Sequence, residues 1–188
     1  MNFLKNFFIF LLFSFASAGC YAQYVTVDDT YTAQQLVENV LINSPCANVS
    51  NFSVTGDTFS PGEQSYGYFN GGSSSFPFVK GVVLSTSRAK RTAGPNDNLI
   101  DEGLTSWLGD TDLENALNIT NTYNATVLEF DFTPLASHIS FDYIFASEEY
   151  QGTAPCHYSD GFAFLLKPIG SSAPYQNLAL IPNTTTPV

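Results

Sequence analysis

Positive charge is scarce in this sequence: six Lys and Arg stand against seventeen Asp and Glu in 188 residues, for a formal net charge of −11. Neutralising a phosphate backbone takes several clustered cations, so this deficit argues against nucleic acid as a partner. Histidine is nearly as rare, with only His138 and His157, and neither a Gly-x-Ser-x-Gly elbow nor a phosphate loop accompanies them. Serine-nucleophile hydrolysis and phosphoryl transfer therefore lack a motif. Zinc finds no His-x-His or Cys-x-x-Cys spacing among two histidines and three cysteines. Charged residues make up only 12% of the chain, yet 44% is apolar and 15% aromatic, which suffices for a buried core and excludes intrinsic disorder. The length fits one domain of ordinary size.

The longest apolar run, Phe7 to Phe15, is too short to span a bilayer. It follows Lys5 and precedes small residues, the pattern of an export signal over residues 1–22 with cleavage after Ala22. Lipoprotein processing at Cys20, after Ser17-Ala18-Gly19, is the rival reading; that box normally opens with Leu. The domain then spans residues 23–188. In an oxidising compartment its two cysteines, Cys46 and Cys156, are expected to form a disulfide. Closing so long a loop is worth about 4 to 5 kcal/mol in the chain-entropy model.

Residues Thr32 to Asn43 place Leu36, Val37, Val40 and Leu41 at helical spacing behind a Thr32 cap, so one amphipathic α-helix opens the domain. Seven β-branched or aromatic runs follow: Val49 to Thr55, Tyr66 to Asn70, Val79 to Thr86, Ala125 to Thr133, His138 to Ala146, Gly161 to Lys167 and Asn177 to Ile181. Their alternation, with Leu128, Phe130 and Phe132 opposite Val127, Glu129 and Asp131, predicts a mainly β fold. The expected architecture is an antiparallel, jelly-roll-like β-sandwich. A long loop from Thr86 to Ile119 carries a short helix around Thr111 to Leu117. The chain stops at Val188 just after a strand and a turn, so further strands and an anchor are expected beyond it.

Carboxylates are the remaining candidates for chemistry. Asp110, Asp112 and Glu114 sit in a Gly/Asn-rich loop with Asp97, Asp101 and Glu102 upstream. Alternating Asp residues in an exported protein suit calcium, which takes six to eight oxygen ligands. Helix capping by Asp110, with Asp112 and Glu114 favouring the helix N-terminus, explains the same residues. Glu148 and Glu149 are neighbours, so in extended chain they face opposite sides, and either one needs a partner such as Asp142 or Asp160. Together, Asp110, Asp112, Glu148, Glu149 and Asp160 form the candidate calcium set. Asp160 and Tyr150 are the candidate ligand-binding residues, since exposed rings among the loop tyrosines Tyr66, Tyr68, Tyr123, Tyr150 and Tyr158 can stack on sugars, although packing in the core is the commoner fate of such rings.

Gly81 to Thr86, Gly94-Pro95-Asn96, Leu108 to Leu113, Thr126 to Phe132, Phe141 to Tyr150 and Asp160 to Leu166, taken in order, closely resemble the choice-of-anchor L domain of bacterial surface proteins. The Phe145-Ala146-Ser147-Glu148-Glu149-Tyr150 stretch is the most specific part and is also similar to the extracellular NIDO pattern. The resemblance covers nearly all of residues 23–188. It implies a domain held at the cell surface by interchangeable C-terminal anchors, including type IX secretion signals of gliding Bacteroidota, and it brings no catalytic residues. Ser159 replaces an Asn common in the family before Asp160.

Three functions are expected in descending order. The first is a non-catalytic adhesion or structural domain, at the cell surface or secreted, that engages an extracellular glycan or protein. The second is a calcium-dependent lectin-like module, because Asp160 to Leu165 resembles the legume-lectin strand whose Asp contacts sugar. The third is a polysaccharide hydrolase acting through Glu148 or Glu149 and Asp160.

Overall fold

The computed structural model describes residues 24–42, 45, 47–95, 100, 102–150, 153–154 and 157–188. The signal segment, Asp97, Asp101, and both cysteines of the expected disulfide, Cys46 and Cys156, lie outside the described residues.

Local capping chemistry opens the fold. After β1 (Thr26–Asp28), the Thr32 side chain accepts the Gln35 backbone N–H, and the Gln35 side chain accepts the Thr32 N–H. This reciprocal box starts α1 (Ala33–Gln35) at the Thr32 cap that the sequence predicts. The helix does not continue as a regular α-helix. Leu36–Leu41 winds as a π-helix, closed by the Ile42 N–H on the Val37 carbonyl at 2.8 Å. The wider turn rotates successive residues through a smaller angle, so the consecutive Leu36 and Val37 both reach full burial.

Among the described residues the strands form four small antiparallel sheets, so the protein is mainly β with few helices. In the largest, β5 (Tyr66–Asn70) lies between β1 and β6 (Lys80–Leu84). Gly67 permits the β1–β5 approach, since a Cβ there would lie 2.7 Å from the Asp28 carbonyl oxygen. The second sheet pairs β2 (Ala47–Thr55) with β7 (Val127–Pro134), with a register shift between Ser50 and Ser53. Asn51 supplies the positive φ of this bulge (53°) and its side-chain amide donates to Asp131 at 2.6 Å. The extra residue changes the phase of the strand, so Val49, Phe52 and Val54 all point to the same, more buried side. The remaining ladders are two residues per strand: β3 (Thr58–Phe59) with β4 (Glu63–Gln64), and β8 (Leu165–Leu166) with β9 (Gln176–Asn177).

Three of the expected strands are corrected here. His138 to Ala146 forms no ladder, Gly161 to Lys167 contributes only β8, and Asn177 to Ile181 contributes only one residue to β9. The aromatic alternation of the first two stretches is still used. Phe141 meets Phe164 at 4.8 Å between ring centroids, and Tyr143 meets Phe162 at 5.2 Å, so the two chains run side by side in antiparallel register. The short helix, by contrast, forms where expected as α2 (Thr111–Leu117).

Polar ties hold the loops onto this frame. A 3-10 helix at Ala89–Ala93 carries three of the chain's six basic residues within or just before it. Lys90 reaches the nearly buried Asp29 at 3.0 Å, while Arg88 and Arg91 both reach Glu102. The hydrogen bond to Asp29 is the main cause that holds the Lys90 ammonium above its ordinary pKa, against the opposing effect of desolvation. Ser65, fully buried, accepts the Asp57 N–H at 3.2 Å and lies 2.8 Å from the Thr126 hydroxyl, joining the start of β5 to β7.

Candidate functional site

Backbone amides occupy two of the five candidate calcium ligands. Asp110 is the N-cap of α2, its carboxylate accepting the Leu113 N–H at 2.7 Å, so the capping reading of this residue is realised. Glu148 turns one oxygen to the Ile100 N–H at 2.7 Å, and its other oxygen is buried without a hydrogen-bond partner. Asp112 is exposed in the first turn of α2. Glu114 binds the N–H and hydroxyl of Thr122, at 2.7 and 3.0 Å, which ties the helix to the following loop. Among the described residues, no group of three or more His, Cys, Asp and Glu is placed to hold a metal ion.

Glu149 and Asp160 do come together. The ring contacts between the 141–145 and 162–164 stretches bring Ser147 and Glu149 alongside Tyr158 and Asp160. The Ser147 hydroxyl links them, donating to Asp160 Oδ2 at 3.2 Å and accepting the Glu149 backbone N–H at 3.1 Å. With Phe145, Tyr150 and Ser159 these residues line a cleft of about 200 Å³. Tyr150 and Tyr158 are 74% and 65% exposed, leaving their rings available to a ligand. Helix α2 supports the floor of this turn: a Cβ at Gly161 would lie 2.9 Å from Leu117 Cδ1.

Burial and, second, the negative charge of Asp160 push the Glu149 carboxyl above its ordinary pKa. Asp160, Tyr150 and Tyr158 are the titratable groups that share its cleft. Because the folded state binds the Glu149 proton more tightly than the unfolded state, its penalty is absent at low pH and develops as pH rises through its folded pKa. Glu149→Gln is therefore expected to raise the thermal midpoint slightly at pH 7, by the equivalent of no more than about 0.5 kcal/mol for a half-buried group whose charge solvent still screens. The difference should disappear as pH falls through the carboxylate range, and melts across a pH series check this.

A larger cleft of about 490 Å³ lies beside Trp107, between Asp57 and Asp110. Its two carboxylates already serve their own backbone, Asp57 accepting from Thr58 and Asp110 from Leu113. The smaller cleft has the less committed chemistry and is the candidate site. Neither histidine lines it: His138 is exposed, and His157 holds its ring 6.5 Å from that of Tyr158 with a ring nitrogen 2.8 Å from the Thr153 carbonyl. Sequence reasoning singled out Glu149, Tyr150 and Asp160 as site residues, while Ser147, Tyr158 and Ser159 entered only as motif or loop positions. Their signal was adjacency, since each lies within two residues of Glu149 or Asp160.

No helix among the described residues is long and apolar enough to cross a membrane. No curated protein and no solved structure matches the chain. The model of the choice-of-anchor L domain matches residues 25–188, which takes in the strands, α2 and the cleft alike. The chain belongs to the choice-of-anchor L domain family, a family of surface-associated protein domains.

Proposed function

We propose that this domain is an adhesion module of an exported surface protein and that it holds an extracellular glycan in the Glu149–Asp160 cleft without altering it. The observation that carries the reading is the lining of that cleft: two largely exposed tyrosines beside two carboxylates and the Ser147 hydroxyl. Exposed rings stack on the C–H faces of a sugar, and carboxylates accept hydrogen bonds from its hydroxyls. At roughly 30 Å³ per water, the cleft has the room of about seven waters, fitting one sugar ring better than a longer segment. Family membership supports the surface location.

A glycan array probed with and without chelator tests the reading. Binding by the wild type, weakened about tenfold or more by Asp160→Ala with an unchanged circular dichroism spectrum, is the expected result. A blank array overturns it. Loss of all binding on chelation would instead favour the calcium-dependent lectin, with Glu149 and Asp160 as two of the oxygen ligands.

A further inference from the structure

We propose that the Glu149–Asp160 cleft selects sugars bearing a free amine, so that its ligand is a deacetylated amino-sugar polymer. This deepens the adhesion reading and rests on it. Three of the few cations are committed elsewhere: Lys90 to Asp29 and Glu63, Arg88 to Glu63 and Glu102, and Arg91 to Glu102. Among the described residues, no Lys or Arg forms an ion pair with Glu149 or Asp160, and none lines their cleft. The Ser147 hydroxyl donates to Asp160 Oδ2 and accepts the backbone N–H of Glu149, and the charge of Asp160 acts on the Glu149 carboxyl within the same cleft. The cleft therefore presents two carboxylates whose mutual repulsion a bound cation would relieve, and the raised proton affinity of Glu149 is consistent with that.

The tyrosines narrow the kind of cation. A calcium ion would answer the carboxylates and leave the exposed Tyr150 and Tyr158 rings unused. A neutral sugar would answer the rings and leave the like charges facing one another. An ammonium group on a pyranose does both, because its charge meets the carboxylates in charge-assisted hydrogen bonds while the ring stacks on tyrosine. The ammonium is also attracted to the tyrosine π-face. A lysine side chain carries the same charge on a thin, flexible stem. It offers the rings less surface and loses more rotamer freedom on binding.

Titration calorimetry in EDTA and physiological salt distinguishes these cases, using tetramers of glucosamine and of N-acetylglucosamine as probes. The glucosamine tetramer should bind about tenfold tighter, the effect of one added charge-assisted hydrogen bond. The double substitution Glu149→Gln with Asp160→Asn should erase that preference while the N-acetylglucosamine tetramer still binds, and Tyr150→Ala should weaken both sugars. Circular dichroism establishes that each variant is folded. Equal affinities for the two tetramers overturn the amine assignment and leave glycan adhesion standing, as does a preference that survives the double substitution. A lysine tetramer binding tighter than the glucosamine tetramer overturns it as well. If neither sugar binds and the glycan array is blank, the adhesion reading itself falls.

Discussion

Trp107→Ala is expected to lower the unfolding free energy by about 3 to 5 kcal/mol, the range for removing a large aromatic side chain from a core. Trp107 is the chain's single tryptophan and is only 8% exposed. Its ring meets Phe59 edge-on with centroids 6.0 Å apart, and its indole N–H donates to the Ala125 carbonyl at 2.9 Å. Backbone bonds surround it: the Trp107 N–H reaches Leu104, and its carbonyl accepts from Asn124. The residue thus fastens the loop before α2 to the entrance of β7. Trp107→Phe keeps most of the buried ring and loses the hydrogen bond, so its cost should be nearer 1 to 2 kcal/mol, partly from the unpaired Ala125 carbonyl. Urea unfolding followed by far-ultraviolet circular dichroism reads both, without relying on the fluorescence that the substitutions remove. Equal losses for Ala and Phe would show that the hydrogen bond, not packing, dominates at this position.

Leu36→Ala should cost about 2 to 5 kcal/mol, since Leu36 is fully buried where the π-helix meets β2, β5 and β6. The comparison that isolates burial is Thr32→Ala, which removes the N-cap of α1 and leaves the core untouched. Its expected cost is about 1 kcal/mol. A helix this short cannot persist by propensity alone, so its stability has to come from the face it buries. If Thr32→Ala proves as damaging as Leu36→Ala in the same urea titration, capping carries the segment and this account of it is wrong.

These two positions illustrate different degrees of legibility. The apolar spacing of Leu36 and Val37 and the Thr32 cap are local, and the sequence alone places a helix start there. The π winding is not local, because it lets two consecutive residues bury together against strands far along the chain. Helix α2 was readable for the same reason as the cap, since Asp110 and the Leu113 amide are three residues apart. The bulge at Asn51 was hidden. An Asn in a strand-like run looks like an ordinary polar position until its pairing with β7 shows that Phe52 must change sides. The 138–146 stretch shows the opposite error. Alternating Phe141, Tyr143 and Phe145 report correctly which rings share a face with Phe162 and Phe164, but alternation says nothing about whether the backbone finds a ladder.

By itself the sequence determined that the chain is acidic, mainly β and entered by a capped helix, because charge, alternation and capping act over a few residues. Its motif order also carried the family. What only the tertiary structure decided is which carboxylates meet. Adjacent Glu148 and Glu149 are interchangeable on paper, yet one is taken by the Ile100 amide and the other lines a cleft with Asp160. That choice depends on aromatic contacts between segments about twenty residues apart, which set the register of the two chains. Long-range packing fixes distances that no local pattern encodes, and a binding site is a set of such distances.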